Sequence, residues 1–165
     1  MKLKIIILIC VLLSFKVSAQ EQPQRINFIL SIDEKIVSGS VSKIKILASL
    51  THGGKRVIEA DYYPGNLSLS QSDYALLKSD TVSSVFLSFT YSEFCNKNRR
   101  DYDYEIDLKK GWLQSYFYVL YVYNTDKSRY KKILEPLKGK HYIYEFDYPG
   151  GGTKRIRKIK INDCD

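Results

Sequence analysis

The sequence predicts an all-β domain of antiparallel strands packed as two sheets. Three observations predict it: apolar residues recur at every second position in several stretches, glycine and asparagine clusters separate those stretches at spacings of about 8 to 12 residues, and strand–helix–strand alternation is missing.

The first strand is expected over Ile26 to Ile32, after a polar lead in which Pro23 has no amide hydrogen to pair. Val41 to Leu50 sets Ile44, Ile46, Ala48 and Leu50 on one face and Lys43 and Lys45 on the other, the period of a half-buried strand. Gly53-Gly54 then turns the chain, since glycine tolerates positive φ, and Arg56 to Tyr63 returns as the antiparallel partner. Pro64-Gly65-Asn66 breaks this run, and Leu67 and Leu69 mark a short extended piece. Ser70 and Asp73 have the spacing of an N-cap and a first-turn acid, which predicts one short helix through Leu77 crossing between sheets.

Val85, Leu87, Phe89 and Tyr91 alternate with Phe86, Ser88, Thr90 and Ser92, and the mixed second face predicts an interior strand. Beyond the polar turn Asn96 to Arg100, Tyr102, Tyr104, Ile106 and Leu108 alternate with Asp101, Asp103, Glu105 and Asp107, one side buried and the other solvated. Leu113 to Tyr123 is apolar or aromatic on both faces apart from Gln114 and Ser115, which predicts a central strand covered on both sides. A basic loop runs from Asn124 to Lys140, and the last hairpin joins His141–Tyr148 to Thr153–Ile161 across Pro149 and three glycines. About eight strands and one short helix point to an immunoglobulin-like sandwich, with a closed β-barrel as the alternative.

The N-terminus carries Lys2 and Lys4, an apolar run from Ile5 to Leu13, and Val17-Ser18-Ala19 before Gln20. This is the pattern of a secretory signal peptide, residues 1–19, cleaved after Ala19 to leave one domain, residues 20–165, in a periplasmic or extracellular space. The apolar run is shorter than the roughly 20 residues of a spanning helix, so no integral membrane insertion is expected after cleavage. Cleavage removes Lys2, Lys4 and Lys16 and no acid, lowering the formal charge from +8 by three to +5. Export and this moderate charge argue against nucleic acid and fit a protein or an acidic polysaccharide as partner. Two cysteines survive, Cys95 and Cys164, and an oxidising compartment allows them one intramolecular disulfide, pinning the C-terminus.

Catalytic signatures are scarce. His52 and His141 have no cysteine or carboxylate at ligand spacing, and no GxSxG is present, so neither a metal nor a cofactor is expected. Carboxylates two apart on a strand stand about 6 to 7 Å from each other, too far for one calcium ion to gather the row Asp101 to Asp107, which is expected to be a solvated face or to pair across strands with a basic strand. Two basic clusters are the candidate binding elements: Lys127, Arg129, Lys131 and Lys132 with Tyr130 in the long loop, and Arg155, Arg157 and Lys158 on the last strand, where an edge-guarding role is the competing reading. The tyrosines of the central strand and of His141–Tyr148 fit a core or an exposed stacking platform. The expectation is therefore an exported, non-catalytic binding or surface-associated module, with a small secreted inhibitor or a hydrolase as alternatives.

Overall fold

A computed structural model describes residues 22–95, 98–109 and 111–152. These residues form β1 (Gln24–Ile26), β2 (Phe28–Ile32), β3 (Lys35–Ile36), β4 (Val41–Leu50), β5 (Lys55–Glu59), β6 (Asp61–Tyr63), β7 (Asn66–Leu69), α1 (Gln71–Lys78), β8 (Val82–Cys95), β9 (Asn98–Leu108), a 3-10 helix (Trp112–Gln114), β10 (Tyr118–Asn124), α2 (Ser128–Lys131), β11 (Tyr142–Tyr148) and β12 (Gly151–Gly152). The fold is mostly β, as the periodicity predicts, but its strands make three sheets. Their orders are β5-β4-β8-β9, β12-β11-β10-β2-β3 and β1-β7-β6. Among the described residues the β10–β2 ladder is the parallel one.

The third sheet arises because two expected strands bend. Ile26 pairs in the three-stranded sheet and Phe28 in the five-stranded one, with Asn27 at the corner. Ala60 likewise separates β5 from β6. Strands that switch sheets at a bend let sheets close around a common core. That core joins Ile46, Leu87, Phe89, Ile106 and Leu108 of the four-stranded sheet to Phe28, Leu30, Leu120, Val122 and Phe146 of the five-stranded one, with Leu67 and Leu69 from the third. The Tyr62 hydroxyl ties a corner, accepting from the Leu30 amide at 3.0 Å and donating to the Val37 carbonyl at 3.2 Å.

Local chemistry sets the remaining elements. Gly53 (φ 88°) and Gly54 (φ 96°) make the expected β4–β5 turn. Ser70 caps α1, its hydroxyl accepting from the Asp73 amide at 3.0 Å. The run Leu113 to Tyr123 is not one strand: Gly111 at φ 95° starts the 3-10 helix, whose Trp112 is buried, and the strand begins only at Tyr118. β10 is central and covered on both faces, by the main core and by a second cluster of Tyr123, Ile143, Tyr130 and Leu134. The edge of β9 is sealed by tyrosine. The Tyr142 hydroxyl accepts from the Glu105 amide at 2.9 Å and donates to its carbonyl at 2.7 Å, and the Asp107 amide donates to the Tyr144 hydroxyl at 3.3 Å.

No disulfide is found among the described residues, which corrects the expected Cys95–Cys164 bridge. Cys95 ends β8 at the tip of the β8–β9 hairpin, opposite Asn98. Of the pair only Cys95 falls within the described residues; Cys164, the signal segment 1–19 and the expected strand Thr153–Ile161 lie outside them. No helix among the described residues is long and apolar enough to cross a membrane.

Candidate binding surface at the Trp112 end

The two ends of the fold differ in chemistry. At one end Trp112 packs edge-on against Phe28 and Tyr118, and Tyr118 stacks on Tyr148 at 5.7 Å between ring centroids. Burial holds the Tyr118 hydroxyl well above its ordinary value, with the neighbouring Tyr148 adding to the shift. A cleft of about 130 Å³ opens beside Trp112. Leu77, Val85 and Leu108 help form its apolar lining, and Asp80 and Gln114 contribute polar groups.

The chain leaving this cleft turns aromatic side chains outward. Tyr116 is 82% exposed and Phe117 38%, and Tyr63, on the β6–β7 turn, is 72% exposed. Both loops are fastened to the same corner. Asn27 donates its side-chain amide to the Tyr116 carbonyl at 2.9 Å and accepts the Tyr118 amide at its own carbonyl at 2.9 Å, while the Gly65 amide donates to the Phe28 carbonyl at 3.0 Å. Three aromatic residues thus project from backbone that is held in place, and two of them, Tyr116 and Phe117, follow the cleft-lining Gln114 in the chain. Exposed rings of this kind offer apolar faces with polar rims.

The opposite end is built from charge. Lys127 donates to Asp33 at 2.7 Å and to Glu93 at 2.6 Å, joining the β2–β3 turn of one sheet to β8 of another. Burial alone would lower the Lys127 ammonium, but its hydrogen bonds to the two carboxylates outweigh that and hold it above its ordinary value. Asp33 also accepts the Asn124 amide at 2.8 Å. Arg129 pairs with Glu34 and lies over the Tyr130 ring, which is buried. Buried polar atoms with no partner among the described residues lie here as well, at the Tyr104 and Tyr130 hydroxyls, Asn124 Nδ2 and His141 Nε2.

The long loop therefore brings Lys127, Arg129 and Tyr130 together, but as fastenings of the loop to the sheets, while Lys131 and Lys132 stay at the surface. Arg155, Arg157 and Lys158 lie outside the described residues. The acidic row is exposed, and part of it is bonded across strands, Thr90 donating to Asp103 at 2.6 Å and Ser92 to Asp101 at 2.8 Å. The Arg99 side chain, hydrogen-bonded to Asp101, holds that carboxyl below its ordinary value, with the Ser92 hydroxyl acting in the same direction. Sequence reasoning missed Tyr116 and Phe117 by placing them inside a strand; the signal was the Gly111 break and the polar pair Gln114-Ser115. No protein-family model, curated protein or solved structure matches the chain.

Proposed function

We propose that the chain is an exported, non-catalytic module that binds saccharide through the Trp112 end. The observation that carries this reading is the exposure of Tyr116, Phe117 and Tyr63 on backbone anchored to one corner. A pyranose presents C–H groups on its faces and hydroxyls around its edge, which suits exposed rings flanked by side-chain amides and carboxylates such as Gln114 and Asp80. In architecture, the two larger sheets packed through a shared core support an immunoglobulin-like sandwich with a third, corner sheet. The N-terminal signal pattern supports export.

The test is affinity electrophoresis of residues 20–165 through gels containing neutral or acidic soluble polysaccharides. At least one polysaccharide is expected to retard the protein. Tyr116→Ala combined with Phe117→Ala is expected to weaken that binding by about 1.4 to 2.8 kcal/mol, roughly 10- to 100-fold. Unchanged mobility in every gel contradicts the proposal.

A further inference from the structure

The outward face of the four-stranded sheet carries a charge pattern that its ladder registers define. Leu47 is paired with Val57 on one side and Phe86 on the other, and Phe86 with Asp107, so Val57, Leu47, Phe86 and Asp107 form one row across β5, β4, β8 and β9. Their neighbours along each strand, Ile46, Ile58, Leu87 and Ile106, are buried in the core, which places this row on the outer face. Val57 is 52% exposed, and Leu47 and Phe86 are half-buried. One rung to one side lie Lys55, Ser49 and Ser84, with Lys109 following the end of β9; one rung to the other lie Glu59, Lys45, Ser88 and Glu105.

The apolar row is thus bordered at its ends by lysine on one side and glutamate on the other. A twofold axis along the row, across the strands, lays each apolar residue on its own copy. The same rotation brings Lys55 over Glu59 and Lys109 over Glu105 of a second molecule. An isologous contact requires this kind of self-complementarity. The partners within one chain do not remove it: Lys45 meets Glu59 at 3.0 Å and Lys140 meets Glu105 at 3.6 Å, both among substantially exposed side chains. Asp107 is the one mismatch, since it falls on Asp107 of the other copy.

We infer that this face pairs with the same face of a second copy of the chain, about a twofold axis along the Val57–Leu47–Phe86 row. Strand spacing and rise give a contact of at most roughly 600 Å² per copy. The total, at most about 1,200 Å², does not exceed the lower limit for specific interfaces, so the dimer is weak.

Sedimentation equilibrium of residues 20–165 at low salt tests this. Reversible dimerisation is expected, with Lys55→Glu and Glu59→Lys each weakening it about tenfold. The double variant, which restores opposite charges across the axis, is expected to recover most of the loss. Asp107→Asn is expected to tighten the dimer. Monomer mass at every concentration up to about 1 mM overturns the inference, because a dimer weaker than that has no standing as a specific interface. So does a double variant that is no better than the two single effects combined.

Discussion

Lys127 is the residue on which one end of the fold turns. Its side chain is 29% exposed, and those of Asp33 and Glu93 are 11% and 24% exposed, so each charge is partly desolvated and is balanced by the others. Replacing one member of such a group leaves the remaining charges without compensation, which costs more than the group adds relative to an apolar one. Lys127→Met is therefore expected to lower unfolding stability by about 2 kcal/mol, measured by chemical denaturation. Replacing the exposed Lys132 by Met changes stability by less than about 0.5 kcal/mol. The triad was illegible in the sequence because its members belong to separate elements, Lys127 and Glu93 being 34 positions apart. The same residue read alone as a loop cation suggests a ligand contact. Tyr116 shows the converse: in an aromatic run it reads as core, and it is 82% exposed.

At the scale of elements, period-two alternation was readable wherever one face is wet. β4 and β9 follow their patterns, with Ile46, Ala48, Tyr104, Ile106 and Leu108 buried. A continuous apolar run carries no such phase, so Leu113 to Tyr123 concealed a 3-10 helix and an exposed loop before β10. The corners at Asn27 and Ala60 were hidden for a related reason, since a bend between sheets interrupts pairing without changing residue type. Protection of the β9 edge is a long-range effect, made by side chains 37 positions away. Tyr142→Phe removes the hydroxyl that satisfies both backbone groups of Glu105. Its expected cost is about 1 to 3 kcal/mol by thermal or chemical unfolding, together with faster amide exchange at Glu105. Tyr144→Phe is expected to cost less, because Tyr144 is only half-buried and its bond to the Asp107 amide is longer.

For the whole molecule, the tyrosine-rich interior sets the response to alkali. Burial raises the hydroxyls of Tyr104 and Tyr118 far above their ordinary value, and the Asp33 carboxylate adds to the effect at Tyr104. Their folded values exceed their unfolded values, as does that of Lys127. Between the two values the unfolded chain has lost protons that the folded chain keeps. Stability is therefore intact below about pH 10 and falls as pH rises beyond it. A pH series of unfolding curves should show this decline, and the tyrosinate absorbance of the two buried rings should appear only with unfolding. A retained stability plateau well above that pH would contradict the burial assignment.

The molecule then has one end locked by ion pairs and another that offers aromatic side chains beside a cleft. That contrast underlies the proposed function, and the most direct test compares the two ends in one assay. Affinity electrophoresis against the polysaccharide that retards residues 20–165 most would be run with Tyr116→Ala/Phe117→Ala and with Lys131→Ser/Lys132→Ser, each checked for unchanged folding. The aromatic pair is expected to reduce retardation sharply, and the lysine pair to preserve it. Loss with the lysine pair and retention with the aromatic pair would contradict it, placing the binding surface on the basic loop.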